Sequence, residues 1–178
     1  MPVRPGAQDP RTSPSDVRRP WWHRGRNPGA NIYGIVVACS LLAGIEHLGV
    51  PVTRLGAYVF LTILLYWLAH AYADVLGHRP ADTHLTVSTA ERVVQALGDQ
   101  WGVVGGTAVM LAVLSISKFS GASQNTSINL ALWAGAIELF IWGAIAGRTA
   151  GLSGRAVTFY AFTSGALGVL IIVLKSIV

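Results

Sequence analysis

Four side chains able to ionise recur at four-residue spacing in one apolar stretch: Tyr66, His70, Asp74 and His78. On an α-helix such residues lie one above the other and drift by only about 40° per step. Imidazole and carboxylate groups in a column could pass protons or conduct a cation. The alternative is structural, with a neutral His70 bonded to a backbone carbonyl and an interfacial Asp74 paired with a neighbour such as Arg79.

Glu138 lies in the middle of another apolar segment, AIELFIW. A carboxylate at the centre of a membrane span costs about 2.5–3.5 kcal/mol on insertion scales. It must therefore be neutral, paired or exposed to a hydrated cavity. Both interpretations stay open at this stage: a group that handles protons or cations, or a hydrogen-bonded acid that joins helices.

Glu46 and His47 follow the first apolar segment, where an interfacial position is the simplest interpretation. If they point inward, they would mark the outer mouth of the same path. Counted from the outer ends of their own spans, which run parallel, His70 and Glu138 differ by about 8 Å in height. A side chain or a water molecule would have to bridge them. The candidate polar path comprises Glu138, His70, Asp74, His78 and Glu46.

Other chemistry is not indicated by the sequence. It contains no Gly-rich phosphate loop, nucleophile elbow or His–Glu zinc motif. The lone cysteine, Cys39, excludes an intrachain disulfide and a thiolate metal cluster, and is expected to be a small residue facing lipid or a helix. A metal site along the His70 column lacks a second acidic or His-rich helix. We therefore predict no enzyme activity, no cofactor and no metal.

Composition determines the class of protein. Hydrophobic residues make up 52% of the 178 residues and charged residues only 12%. Soluble domains carry about 25% charged residues, so these values indicate a polytopic membrane protein. The predicted fold class is all-α, a membrane helical bundle.

The apolar runs predict five transmembrane helices. A Pro- and Arg-rich stretch, 1–29, precedes them and is predicted to be a disordered cytoplasmic tail, which leaves 30–178 as the transmembrane domain. Glycine and proline residues separate the runs. The predicted spans are 31–48, 55–77, 101–116, 128–147 and 156–174.

The segment between the second and third spans is too polar to cross a membrane. Ser88 and Glu91 form a capping box, and apolar residues then recur at helical spacing as far as Trp101. This pattern predicts a short amphipathic interfacial helix over 88–100. The alternative is an N-terminal extension of the third span.

Positive charge predicts the orientation. With five spans and a cytoplasmic N-terminus, ten of the thirteen Lys and Arg residues lie on the cytoplasmic side. This bias predicts a multi-pass protein of the plasma membrane with an extracytoplasmic C-terminus. The net charge of +5 comes mostly from the N-terminal stretch and does not indicate nucleic-acid binding.

Glycines recur on the later spans and favour close approach of helices. They predict a homo-oligomer, most simply a dimer, through Gly-rich faces, in addition to contact with the lipid bilayer. These glycines are Gly102, Gly105, Gly106, Gly143, Gly147, Gly165 and Gly168.

Two resemblances add to these predictions. The segments YWLAHAYADVLGHR, GAIAGRTAGLSGRAVTFY and GALGVLIIVLK resemble a family of small, uncharacterised integral membrane proteins from actinobacteria. That resemblance covers about 31–178 and implies no activity.

The start of the first span, GANIYGIVVACSLLAGI, is more distantly similar to vacuolar-iron-transporter-like proteins. That similarity implies a five-helix membrane fold. The acidic residue after the Asn in that family is replaced here by Ile32 and Tyr33, and the Glu-rich insert between spans 2 and 3 is missing. Iron transport is therefore not implied. The predicted function is a small cation- or proton-linked transporter or channel, and the alternative is a non-catalytic membrane scaffold or partner subunit.

Overall fold

A computed structural model describes residues 28–77 and 89–177. The predicted disordered tail lies almost entirely outside the described residues, as do His78, Arg79 and the capping serine Ser88. The side chain of His47 lies outside them as well. The first helix begins at Pro28, two residues inside the predicted tail, and proline is well suited to the first position of a helix.

The described residues form six α-helices and no β-strand. Five of them are long and apolar enough to cross a membrane, which confirms the predicted all-α bundle with five spans. A 3₁₀ turn, Glu46–Leu48, follows the first helix. The helices are α1 Pro28–Ile45, α2 Val52–Gly77, α3 Thr89–Asp99, α4 Trp101–Phe119, α5 Gln124–Thr149 and α6 Gly154–Ile177.

In the described residues three turns use glycine in the left-handed backbone region, at Gly49, Gly121 and Gly151. Gly49 has φ 64° and its N–H donates to the Glu46 carbonyl, which ends the 3₁₀ turn. Gly151 has φ 70° in the turn between α5 and α6, where its N–H donates to the Arg148 carbonyl at 3.0 Å. A side chain in this conformation would be strained, so these turns depend on glycine.

The short helix α3 is separate from α4. Gln100, with φ −91° and ψ 0°, interrupts the helix between them. The indole N–H of Trp67 donates to the Leu97 carbonyl at 3.0 Å and attaches α3 to α2. Val94 stays 68% exposed on the apolar side of α3. The predicted separate amphipathic helix is therefore confirmed, in preference to an extension of the third span.

The first helix lies at the centre of the bundle, packed against α2, α4, α5 and α6. Its buried face carries Ile35, Ala38 and Leu42, none of which is accessible to solvent. The last helix, α6, packs mainly on α5 and buries only Ala161 and Gly168. The core is therefore formed by α1, α4 and α5, with one side of α2.

Glycines permit the closest helix contacts. A Cβ at Gly106 would lie 2.8 Å from the Asn31 carbonyl oxygen, and one at Gly34 would overlap the Val103 carbonyl. Between α5 and α6, a Cβ at Gly168 would lie 2.7 Å from the Cα of Ala136. The predicted close approach is therefore present, and most of the predicted glycine surface is used inside the chain. Gly105 is an exception, with no atom within 4 Å of its Cβ position.

Replacement of Gly106 by alanine should destabilise the protein by about 1–3 kcal/mol, because the methyl group would force α1 away from α4. Gly105→Ala is the matched control, one residue earlier in the same helix and with open space for the methyl group. It should be neutral or stabilising, because alanine favours helix more than glycine does. Thermal unfolding of both variants in detergent checks this. Equal effects of the two substitutions would contradict the packing described here.

Candidate functional site

The polar side chains are best located relative to the two ends of the bundle. At one end, here called the Glu46 end, α1, α4 and α6 finish and α2 and α5 begin. The Gln124 side-chain N–H donates to the Val50 carbonyl there at 2.9 Å and joins α5 to the start of α2. The opposite end, where α4 begins, is called the Trp101 end.

Glu138 lies near the midpoint of α5, about 21 Å from its first residue by helical rise. Its carboxyl group lies beside the backbone of Met110 on α4. One carboxyl oxygen, Oε2, is buried and has no hydrogen-bond partner in the described part of the chain. Because an unsatisfied buried acceptor is costly, this oxygen can accept a proton, a water molecule or a cation.

Two sulfur atoms, of Cys39 and Met110, lie against Gly135, one turn before Glu138 on α5. The Cys39 thiol donates to the Met110 sulfur at 3.5 Å, and both side chains are buried. The thiol occupies the space that a side chain at Gly135 would need. Cys39 is therefore a helix-facing core residue, one of the two positions expected for it. Among the described residues, no three His, Cys, Asp or Glu side chains lie close enough together to hold a metal ion.

Two buried polar residues that sequence analysis did not select lie between Glu138 and the Trp101 end. Thr107, 1% exposed, comes one turn before Met110 and donates its hydroxyl to the Val104 carbonyl at 2.9 Å. Asn31, 4% exposed, lies against Gly106. The sequence could have indicated Asn31, because it is a polar residue beside an apolar run. It could not have indicated Thr107, because threonine in membrane spans often donates its hydroxyl to a carbonyl of its own helix.

Ser127 lies toward the Glu46 end on the same helix as Glu138. The two residues are eleven apart, which is about three turns and 16 Å, so they share one face of α5. The Ser127 hydroxyl is fully buried and, among the described residues, has no hydrogen-bond partner. Ala131 and Gly135 occupy the turns between them and are buried. This face of α5 thus carries two polar oxygens, Ser127 Oγ and Glu138 Oε2, that have no hydrogen-bond partner in the described part of the chain and are separated by small residues.

Glu46 forms an ion pair with Lys175 near the end of α6, with 2.6 Å between carboxylate Oε2 and ammonium Nζ. The side chains of Glu46 and Lys175 are only 16% and 11% exposed. The ammonium group also donates to Asn129 Oδ1 on α5 at 2.6 Å. Glu46 is therefore turned into the bundle, and this group connects α1, α5 and α6. Sequence analysis did not select Lys175, because nothing in its local pattern names a partner.

His70 belongs to an aromatic cluster between α1 and α2. Its Nε2 lies 2.8 Å from the Tyr66 hydroxyl, and its Nδ1 lies 3.3 Å from the Tyr66 carbonyl oxygen. The Tyr33 ring stacks on Tyr66 with centroids 5.2 Å apart. A single tautomer, with the proton on Nδ1, satisfies both His70 contacts. Tyr66 and His70, the first i, i+4 pair of the predicted column, therefore do meet.

Asp74 connects α2 to the junction of α3 and α4. Its carboxylate Oδ2 accepts from the Gln100 side-chain amide at 2.7 Å. Two turns earlier on α2, the Trp67 ring packs edge-on against Trp101, with centroids 5.4 Å apart. These contacts fix the Trp101 end of the bundle.

The predicted path is thus divided among three neighbourhoods. Glu138 lies on α5 beside α4, near the centre of the bundle. On α2, His70 contacts Tyr66 and the Tyr33 ring of α1, and Asp74 contacts Gln100. Glu46 lies at the Glu46 end with Lys175. The path residue His78 lies outside the described residues. Whether the members of the path act together in function stays a prediction.

Comparisons of the chain with protein-family models, curated proteins and solved structures found no match in any of the three. The structure and the chemistry of its buried groups therefore carry the functional argument. The resemblances to the actinobacterial family and to vacuolar-iron-transporter-like proteins stay predictions.

Removal of either member of the Glu46–Lys175 pair should destabilise the protein. Lys175→Met or Glu46→Leu should each cost about 1–3 kcal/mol, less than the 3–5 kcal/mol of a fully buried pair, because both groups keep some exposure. The combination Lys175→Met with Glu46→Leu should recover much of the loss.

A double-mutant cycle of thermal unfolding in detergent measures this coupling. Arg155→Met, at an exposed position of α6, is the control and should change stability little. Strictly additive losses from the two single substitutions would show that the pair does not stabilise the bundle.

Proposed function

We propose that this membrane protein is a small cation- or proton-linked transporter in which Glu138 is the group that exchanges the ion. The observation that supports this most is the buried Oε2 of Glu138, halfway along a membrane span, which has no hydrogen-bond partner among the described residues. Ionisable groups in the middle of membrane helices commonly mark ion pathways. An acid whose only role was to hold helices together would be expected to use its acceptor oxygens for that purpose.

The other ionisable candidates are better explained as structural groups. His70 contacts Tyr66 through both ring nitrogens. Asp74 accepts from Gln100, and Glu46 is paired with Lys175. Each of these side chains already has a protein partner that an entering proton or cation would have to displace. Glu138 is therefore proposed as the essential group, with His70 and Asp74 in secondary roles.

The polar residues on either side of Glu138 support a route across the bundle. Thr107 and Asn31 lie toward the Trp101 end, and Ser127 and Asn129 lie toward the Glu46 end. The 16 Å between Ser127 and Glu138 is filled by small and apolar residues, so a permanently hydrated pore is not supported. Ion passage would require the helices to separate there, which favours a transporter over a channel.

Glu138→Gln should lower proton flux into proteoliposomes by at least about tenfold, because the amide keeps the shape of the acid but cannot exchange a proton. Flux is measured with an enclosed pH-sensitive dye after valinomycin and a potassium gradient impose a membrane potential that drives protons inward. Asp74→Asn is the matched control and should keep most of the flux. Wild-type flux in the Glu138→Gln protein would end the proposal.

The second candidate is a non-catalytic membrane scaffold or partner subunit. It is favoured by the last helix, α6, of which only Ala161 and Gly168 are buried, so a broad apolar face is free to bind lipid or another protein. A dimer or a hetero-complex would use that face, because glycines such as Gly143 and Gly168 already pack inside the chain. Under this alternative, Glu138→Gln lowers thermal stability and no flux is found.

We also propose that the protein lies in the plasma membrane with its Trp101 end on the cytoplasmic side, as the positive charges indicate. Two exposed serines test it, Ser120 after α4 and Ser153 before α6. Ser120→Cys should react with a membrane-impermeant maleimide in intact cells, whereas Ser153→Cys should react only after lysis. The reverse pattern would contradict the orientation. Cys39 is buried, so the unsubstituted chain serves as the unlabelled control.

A further inference from the structure

A groove lies between α2 and α4 at the Glu46 end, with a volume of about 370 Å³. It is called the α2–α4 groove here. It is separate from Glu138 and from the aromatic cluster of His70, neither of which lines it. The part of the groove farther from the helix ends is mainly apolar and is lined by Gly56, Ala57, Phe60, Leu111 and Leu114.

The shape of the α2–α4 groove matches one leaflet of a bilayer. On α2 it extends from Val52 to Phe60 and on α4 from Leu111 to Phe119, nine residues or about 12 Å along each helix. Half of a bilayer's hydrocarbon core is about 15 Å thick. Ala57 and Phe60 are exposed, so the groove opens sideways toward the hydrocarbon.

The α2–α4 groove is cationic only at the end where lipid headgroups would lie, and the polar residue farther in, Ser115, donates its hydroxyl to the Leu111 carbonyl of its own helix. Thr53 and Lys118 line it there, in the first turn of α2 and the last turn of α4. Arg54 follows Thr53 in the same turn and is exposed. In the part of the chain that the structure describes, neither Lys118 nor Arg54 forms an ion pair. Glu46, the acid nearest in sequence to Arg54, is already paired with Lys175.

We propose that the α2–α4 groove binds one anionic phospholipid of the bilayer, with its phosphate at Lys118 and an acyl chain along Gly56 and Phe60. The glycine gives the chain its space, since the nearest atom to a Cβ at Gly56 is a Leu114 methyl carbon at 3.6 Å. The cation supplies selectivity, because a Lys at headgroup depth attracts an anionic lipid. This site does not depend on the proposed transport function.

The test is a lipid titration of the purified full-length protein, followed by native mass spectrometry, with phosphatidylglycerol and phosphatidylcholine as the probes. The wild-type protein should bind phosphatidylglycerol about fivefold more tightly than phosphatidylcholine, the value expected from one surface cation. Lys118→Gln should remove this preference. Arg155→Gln, at the other end of the bundle, is the charge control and should keep it.

A second pair of variants tests the groove itself. Ala57→Trp should fill the groove and abolish binding of both lipids, whereas Leu61→Trp, at a 58% exposed position on the same helix outside the groove, should not. If the tryptophan prevents folding, Ala57→Leu replaces it. Unchanged binding in Lys118→Gln or in the Ala57 variant would overturn the proposal. The proposal would also be overturned if the wild-type protein formed a dimer and the Ala57 variant did not, since the occupant of the groove would then be a second copy of the chain.

Discussion

The close contact of α1 with α4 is the constraint on which the rest of the bundle depends. Inside a bilayer no water is available to drive apolar side chains together, so helices associate through dense packing and through the small residues that permit it. Gly34 and Gly106 let the two backbones meet at Val103 and Asn31. The same contact makes α1 central, and it places Cys39 and Met110 against the side of α5 that carries Glu138.

Two acids near the ends of the bundle are held by partners, Glu46 by Lys175 and Asp74 by Gln100. In the middle, the Glu138 oxygen is left without a hydrogen bond among the described residues. Pairing near the ends makes the structure rigid where helices are joined. An unpaired acid in the centre is a stability cost, and proteins commonly retain such a cost where function needs it.

The sequence predicted the spans to within a few residues because the signals are local: apolar runs of about 20 residues, separated by glycine and proline. It also predicted that Tyr66 and His70 would meet, since the helix places residues four apart together. It could not predict the partner of Glu46, which comes from the other end of the chain. Nor could it predict that Thr107 would be buried, because that depends on which face each helix turns toward its neighbour.

The ion pair of Glu46 with Lys175 has a consequence for how the protein is made. The two residues are 129 positions apart, so at 5–20 residues per second Glu46 is synthesised roughly 6 to 26 s before Lys175. For that interval the first helix carries an acid near its end without its basic partner. Assembly in the membrane is therefore completed at that end only when the last helix arrives, and a chain truncated within α6 would leave the first helix with an unneutralised charge.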